Sequence, residues 1–579
     1  MNSIIYITLC FAVILLSIKP LGVYVGNVFT GRNIFTERIL GGFERLIYRI
    51  CRIDSKKEMD WLDYIISLLI FSLFCFLSLF FILTNQSLLP LNYQNFSDVP
   101  YDLAFNVSIG FITNGNWQAY SGEHTLSIFS QAFGLTIHNF LATTSGMSVF
   151  AALARSIARK QTNNLGNFYK DTVRGTIYIL LPFSLILAVF LASQGAMQNV
   201  GEYIRYTPLE NSSELNDKSN YLIPQGMVAS QVAIKTIGSG GGGFFGVNAA
   251  HPFENPTPLS NFVQVITIFL LPCAFIYAFG YMINDRRQGW SLIMAMFIIF
   301  IPLLAIGIIN EHGSNPLFDK SVIDDSEGNM EGKELRFGVT SSVLWASITA
   351  AASNGSANSA HDSFLPLSGL VPMLLIQFSE TIFGGVGSGV YNIFVYVIIT
   401  VFIGGLMIGK NPEYMGKKID AFDIKMAALV ILIPAVLTLF GSAIAVYMEN
   451  MTQATLNDAA QSLSEILYAF SSASNNNGSA FAGINADNTF YNVMLGISMF
   501  VSRFWVMIAI MALAGSLSAK NITPKNEATL PTHTPLFIFL LVSVLIIIGI
   551  LTYVPAVALG PVAEHYSLVN NVDEWSLQK

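Results

Sequence analysis

The sequence predicts an all-α polytopic membrane protein of about ten spans, built on four pore-loop units. Three observations predict it. The chain has 579 residues, of which 53% are hydrophobic and only 11% charged, whereas a soluble domain carries about 25% charged residues. Ten apolar runs are long enough to cross a bilayer. They lie near 3–25, 62–84, 126–150, 175–195, 261–283, 288–310, 365–408, 425–448, 487–515 and 534–556. Finally, four knots of small polar residues recur at intervals of about 115–125 residues, too long for a solenoid and suited to a duplicated membrane unit.

The first run, from Ile4 to Ile18, has no basic residue before it and Lys19 after it. That pattern points to a retained span oriented N-out rather than a cleaved signal peptide. Charge then orders the remaining runs. Segments 26–61, 151–174, 284–287, 409–425 and 516–533 hold twenty Lys and Arg, whereas 85–125, 196–260, 311–364, 449–486 and 557–579 hold seven. The positive-inside rule assigns the first group to the cytoplasm and all four knots, with both termini, to the outside. The net charge of −7 is secondary to this distribution. Cys10, Cys51, Cys75 and Cys273 are scattered without CxxC spacing, which argues against a zinc site or a disulfide framework.

The knots are Thr113-Asn114-Gly115-Asn116-Trp117, Ser239-Gly240-Gly241-Gly242-Gly243, Ser353-Asn354-Gly355-Ser356-Ala357 and Asn475-Asn476-Asn477-Gly478-Ser479. Each follows a segment of pore-helix length, 102–112, 226–238, 340–351 and 461–473, and precedes a span. A helix that stops mid-membrane points the negative end of its dipole at a cation. Small residues then let backbone carbonyls turn inward and replace a hydration shell. No knot contains Asp or Glu, so neutral oxygens would suit a weakly hydrated monovalent cation better than Ca²⁺ or Mg²⁺. A single Gly/Asn/Ser cluster is an ordinary turn; four in register are a stronger signal. Gly238 to Gly243 formally satisfies GxGxxG, but no βαβ context surrounds it. There is no GxxxxGK[ST] loop and no Asp-Lys-Thr-Gly phosphorylation site, hence no visible means of hydrolysing ATP.

The run 365–408 is too long for one span and is interrupted by Gly384-Gly385-Val386-Gly387-Ser388-Gly389. Two crossings would place Lys410, Lys417 and Lys418 outside, so one broken crossing is expected. Broken backbone at membrane depth survives only inside protein or beside a water-filled path; the alternative is a helix-packing face of small residues. Arg503 and Glu380 stand in apolar surroundings. Arg503 reads as a positive gate beneath an ion site or as a structural cation paired with an acid or carbonyl, and Glu380 as a cation attractor or a simple pair. His251 and His361 follow the second and third knots at matching places; helix capping is favoured over a metal site.

At these residues the chain resembles the potassium-binding A subunit of the bacterial Kdp potassium-transporting P-type ATPase. The resemblance rests on Gly242-Gly243-Phe244-Phe245, His251-Pro252-Phe253-Glu254-Asn255-Pro256, His361-Asp362-Ser363-Phe364, Phe383-Gly384-Gly385-Val386-Gly387-Ser388-Gly389, Pro412-Glu413-Tyr414-Met415-Gly416-Lys417-Lys418 and Asn475-Asn476-Asn477-Gly478-Ser479-Ala480-Phe481. It implies four helix–pore-loop–helix repeats around a central pore, plus one extra span at each end. The divisions would be 1–61 (extra span and basic loop), 62–174, 175–287, 288–424 with the Gly-rich break, 425–533, and 534–579 (extra span and outer tail). It also implies a non-catalytic subunit in the bacterial inner membrane that binds K⁺ and no organic cofactor. Its partners would be the P-type ATPase B subunit, the C subunit and the small F subunit, with no nucleic acid. K⁺ would pass through an intramembrane tunnel to the ATPase subunit. By motif, filter carbonyls fall at Asn114, Gly115, Ser239, Gly240, Ser353, Asn354, Asn476 and Asn477. Gln118, Gly241, Gly355 and Gly478 would shape selectivity, and Arg503, Glu380, Gly385, Gly387 and Gly389 would form the gate and pathway. The second knot has Ser-Gly-Gly-Gly-Gly where Thr-Asn-Gly-Gly-Gly is the family's habit, and the extra glycine is expected to loosen that loop. A self-sufficient K⁺ or K⁺/Na⁺ channel-like transporter is the alternative. A secondary symporter would show two-fold repeats instead, and a membrane enzyme would need a catalytic constellation at one depth.

Overall fold

The computed structural model describes residues 3–32, 34–206, 221–315, 326–378, 380–409, 412–524 and 530–569. Lys218, Lys320, Lys410, Lys525 and Lys579, which entered the charge balance, and the tail 570–579 lie outside the described residues. The chain opens with α1 (Ser3–Thr30) and a surface helix, α2 (Glu37–Ile50). Four units follow. They are α3 (Trp61–Thr84), α4 (Tyr101–Thr113) and α5 (Ser130–Ala158); then α6 (Phe168–Ser193), α7 (Val228–Ile237) and α8 (Pro258–Met282). The third is α9 (Arg286–Glu311), α10 (Gly338–Ala351) and the pair α11 (Pro366–Gln377) and α12 (Ser388–Ile408); the fourth is α13 (Ala421–Tyr447), α14 (Ala459–Ser474) and α15 (Thr489–Ala519). A last span, α16 (Pro535–Val569), closes the chain. Among the described residues, ten helices are long and apolar enough to cross a membrane.

Polar caps decide where the spans begin. Asp60, Asn167 and Asn488 accept the backbone N–H three residues on, and Thr257 with Ser260 and Asp420 with Asp423 form capping boxes. Each satisfies donors that the first helical turn leaves open. α6 therefore starts at Phe168 rather than near 175, and α5 runs to Ala158 rather than 150. Charges in these extra turns marked the ends of apolar runs in the sequence, but they are paired. Arg155 binds Asp171 and Arg174 binds Glu44, so the helix continues through them.

The four short helices α4, α7, α10 and α14 follow a cyclic rule. Each packs on the first span of its own unit and on the second span of the preceding one: α7 on α5, α10 on α8, α14 on α11, and α4 on α15. The last contact closes the ring. α1 lies along α8, and α16 along α9 and α12. The run 365–408 is broken as expected, with α11 too short to span and α12 long enough to do so.

Two small hairpins depart from the all-α expectation: β1 (Ile204–Tyr206) with β2 (Tyr221–Ile223), and β3 (Glu413–Tyr414) with β4 (Lys417–Lys418). In the second, Met415 and Gly416 both have positive φ (49° and 79°), the geometry of a two-residue I′ turn. The turn delivers the buried Lys417 ammonium to the carbonyls of Ser156, Arg159 and Leu517 (2.6–2.7 Å). One lysine thus satisfies open acceptors at the ends of α5 and α15.

Candidate functional site

The four short helices each end on a left-handed residue, and the last three share one further bond. Asn114, Ser239, Ser353 and Asn476 take left-handed φ (67°, 47°, 49° and 48°). The next N–H, of Gly240, Asn354 and Asn477, reaches back to the carbonyls of Lys235, Thr349 and Ser472 (2.9–3.0 Å). This is a Schellman-type ending. It reverses the chain at the helix terminus and starts the loop toward the middle of the ring.

The loops meet there. A Cβ placed on Gly241 would lie 2.8, 3.0 and 3.2 Å from the carbonyl oxygens of Gly115, Asn354 and Asn477. Three knots therefore aim a backbone oxygen at the Cα of the fourth. A Cβ on Gly355 would meet Asn477 O at 2.1 Å, and one on Gly478 would meet Gly115 O at 1.6 Å. The glycines are there because no larger residue fits.

Side chains in the knots point away from these carbonyls. Asn354 Nδ2 donates to Lys235 O (3.1 Å) and Asn477 Nδ2 lies 3.3 Å from Thr349 O and Ala350 O, so each ties its loop to a neighbouring pore helix. The Oδ1 atoms accept from the N–H groups of Ser356 and Ser479. Repeats one and two have Gly115 and Gly240 at the matching places. There the space is taken by other amides: a Cβ on Gly240 would strike Asn116 Nδ2 and Asn139 Oδ1 at 2.5 and 2.6 Å. Asn114 Nδ2 donates to Ser239 O (2.9 Å), and Thr143 Oγ1 donates to Asn114 Oδ1 (2.9 Å).

The second knot is accordingly not loose. Asn116 Nδ2 donates to Gly241 O (3.1 Å), and Lys235 Nζ donates to Gly242 O (2.8 Å). Gln118 exchanges two bonds with Gly243, Nε2 to O at 2.8 Å and N to Oε1 at 3.0 Å. Lys235 is itself paired with the fully buried Glu254 at 2.6 Å, whose other oxygen accepts from Phe245 N. The extra glycine, Gly240, was expected to add freedom; its own N–H is held by Lys235 O, and side chains bond the three glycines that follow it.

Below the loops, Arg503 and Glu380 come together (3.9 Å), both buried. Glu380 also accepts from Ser353 Oγ (2.9 Å) and Asn392 Nδ2 (3.3 Å). Ser502, beside Arg503, bonds Ser474 O and receives Asn476 Nδ2 at 2.8 Å, fastening α15 to the fourth knot. A small cavity lined by Glu380, Tyr391, Asn392, Val430, Asn476 and Arg503 opens from here between α12, α13 and α15. The Gly-rich break runs under the knots. Gly384 N donates to Ala351 O at the end of α10 (2.8 Å), and a Cβ on Gly387 would meet Gly146 O of α5 at 2.8 Å. Gly389 sits against Phe383 O, and Gly385 against Ser388 Oγ. The break therefore touches opposite sides of the ring.

His251 stacks on Phe245 (3.6 Å between centroids), and its Nδ1 accepts from Phe253 N; Thr257, not His251, caps α8. Among the described residues no three His, Cys, Asp or Glu side chains gather to hold a metal. His361 is buried, with Nδ1 3.0 Å from Tyr468 Oη. Burial, with Lys333 nearby as a lesser cause, pulls its imidazole down to about 4. The unfolded chain takes up this proton near pH 6.5. The stability His361 contributes is therefore complete above that pH and is lost as pH falls toward 4. We expect His361→Gln to lose about 2–3 kcal/mol less stability than the parent between about pH 7 and about pH 4.5. Parallel thermal melts of the two proteins at both pH values check this; identical pH dependence would contradict it.

The residues the sequence overlooked are Asn139, Thr143, Lys235 and Asn392; Asn116 and Glu254 fell inside the quoted strings but were given no role. Among the overlooked four, Lys235 had a local signal, as a lysine inside a pore-helix segment without other charge.

A family described as "Potassium-transporting ATPase A subunit" matches residues 8–566. The chain belongs to that family. Similar proteins named "Potassium-transporting ATPase potassium-binding subunit" occur in Herpetosiphon aurantiacus (49% identity) and Methylococcus capsulatus (48%), each over 98% of this chain and 99% of the relative. One from Sorangium cellulosum is 48% identical over 95% of this chain and 96% of the relative. The crystal structure of the potassium transporter TrkH from Vibrio parahaemolyticus is similar at a TM-score of 0.49 and 14% identity, over 88% of this chain and 98% of that one.

Proposed function

We propose that this A-subunit-family chain is the K⁺-binding and translocating subunit of an ATP-driven uptake pump in the bacterial cytoplasmic membrane, with both termini outside. The observation that carries the reading is the convergence of the Gly115, Asn354 and Asn477 carbonyls on Gly241. K⁺ holds its water weakly enough for neutral carbonyls to replace its shell, and four pore-helix C-termini add negative potential at the same point. Filter carbonyls come from Asn114, Gly115, Ser239, Gly240, Ser353, Asn354, Asn476 and Asn477, with Gln118, Gly241, Gly355 and Gly478 setting the shape. The repeats 62–174, 175–287, 288–424 and 425–533 each contribute one quarter.

The break at Gly385, Gly387 and Gly389 bars a straight path beneath the filter, and the cavity beside Glu380 and Arg503 offers a sideways one. This supports delivery through an intramembrane tunnel to a P-type ATPase B subunit that hydrolyses ATP, in a complex with a C subunit and a small F subunit. The Arg503 guanidinium, held against Glu380, sets the potential at the tunnel entrance.

The experiment is growth at limiting K⁺ of bacteria lacking their own K⁺ uptake, given this chain alone or with a Kdp-type ATPase subunit and its accessory subunits. Rescue by the full set only is the expected result. Rescue by the chain alone means a continuous pore and removes the tunnel.

A further inference from the structure

Helix α2 has three different faces. Gly41 and Glu44 are buried; Glu44 accepts from Tyr178 Oη (2.6 Å) and Tyr48 Oη (2.8 Å) and pairs with Arg174 (3.3 Å). A second face carries Ile39, Phe43, Leu46 and Ile50, continued backward by Phe35, at steps of three and four residues. These side chains are 47–73% exposed. A third face, roughly 100° round the helix from that stripe, carries Arg38, Arg45 and Arg49, none of which forms an ion pair among the described residues.

The height of α2 is set by its neighbours. It follows α1 after six residues and is bolted through Glu44 to Tyr178 on α6, one turn before the exposed apolar Leu181, Leu185 and Ile186 of the same span. The helix thus lies where the lipid-length apolar stretches of α1 and α6 end. An exposed apolar stripe flanked by arginines at that level fits the boundary between acyl chains and headgroups.

A separate observation points to the headgroup. A cleft of about 300 Å³ lies at the same end of the bundle, lined by five cations, Lys57, Arg155, Arg159, Lys170 and Arg174, and by two carboxylates, Glu58 and Asp171. Arg155 and Arg159 are paired with Asp171 and Glu58. Arg174 is buried; its Nε and Nη1 are held by Val28 O and Glu44, and its Nη2 has no hydrogen-bond partner among the described residues. Lys57 and Lys170 form no ion pair among the described residues. A buried guanidinium N–H left open, beside two spare ammonium groups, is a site for a phosphate oxygen.

We propose that α2 is an interfacial helix that selects anionic phospholipid. Its stripe is buried at the acyl boundary, its arginines bind headgroup phosphates, and one phosphate enters the cleft to meet Arg174, Lys57 and Lys170. The proposal does not depend on which ion is transported.

The test uses the full chain with its partner subunits in nanodiscs containing equal amounts of phosphatidylglycerol and phosphatidylcholine. A spin label goes on Phe43→Cys in a Cys51→Ser background, the other three cysteines being buried. The expected label is reached by oxygen and shielded from an aqueous nickel chelate. Exposure to the chelate overturns the proposal, as does shielding from both, which would mean a protein covers the stripe. Native mass spectrometry then counts retained lipid. We expect phosphatidylglycerol over phosphatidylcholine by about fivefold or more. The ratio should fall toward one in Arg38→Gln/Arg45→Gln/Arg49→Gln, and partway in Lys57→Gln/Lys170→Gln. Equal retention of both lipids by the parent, or displacement of the lipid by added inorganic phosphate alone, overturns it.

Discussion

Gly241→Asp is expected to raise the K⁺ concentration for half-maximal uptake by about ten- to a hundredfold and to let Na⁺ compete. The new Cβ falls within 2.8–3.2 Å of three carbonyl oxygens from three other loops. Those oxygens must move apart, and each loop is tied to its neighbour, so the displacement spreads round the ring. The carboxylate also adds a full negative charge where only carbonyl dipoles stood. A strong-field oxygen favours smaller, more strongly hydrated cations over K⁺. Gly241→Ala separates the two causes, because it adds the bulk without the charge. It should weaken K⁺ uptake while leaving Na⁺ excluded. K⁺ uptake by the assembled complex, measured with and without excess Na⁺, decides the matter. Unchanged affinity and unchanged Na⁺ rejection in the Asp variant would remove Gly241 from the ion path.

Lys235→Met should be the most destabilising single change near the site. The Lys235 and Glu254 side chains are 2% and 0% exposed and 2.6 Å apart. Removing one partner of such a pair strands the other charge in a low-dielectric interior, at about 3–5 kcal/mol. It also frees Gly242 O, which the ammonium holds at 2.8 Å. Replacing both partners, in Lys235→Met/Glu254→Gln, removes the stranded charge and should recover most of the melting temperature. It should not recover K⁺ affinity, because the second loop still lacks its brace. By contrast, Arg159→Gln, which breaks a half-exposed pair with Glu58, should cost under about 1 kcal/mol. Thermal melts and K⁺-stimulated ATPase assays of the purified complex separate stability from affinity. A double variant with normal K⁺ affinity would show that Lys235 serves folding only.

The secondary structure was legible because its signals are local. Apolar runs of bilayer length became spans, and Gly/Asn/Ser knots after short apolar segments became the ends of α4, α7, α10 and α14. Span ends were misjudged where charged residues looked like boundaries, at Arg155 and Arg174. Their partners, Asp171 and Glu44, keep those turns helical. The 413–418 hairpin went unnoticed because two-residue strands have no periodicity to detect.

The interior of the site was less legible. Arg503 and Glu380 each stood out as a charge in an apolar run, yet 123 positions separate them and nothing local pairs them. The second knot looked slack because its own residues are glycines; the bonds that hold it come from Asn116, Gln118 and Lys235. His251 and His361 looked equivalent by spacing, but one stacks on Phe245 and the other faces Tyr468.

The sequence by itself determined that this is a ten-span helical membrane protein with four small-residue loops, each at the end of a short helix. It also determined that those loops carry no charge of their own. Helix length, capping and glycine content act over a few residues and are written where they act. Only the tertiary structure decided that the Gly115, Asn354 and Asn477 carbonyls meet at Gly241, and which amides and which lysine hold them there. The carbonyls that meet there come from residues more than a hundred positions away from Gly241, brought together in the ring that the packing of α4 on α15 closes.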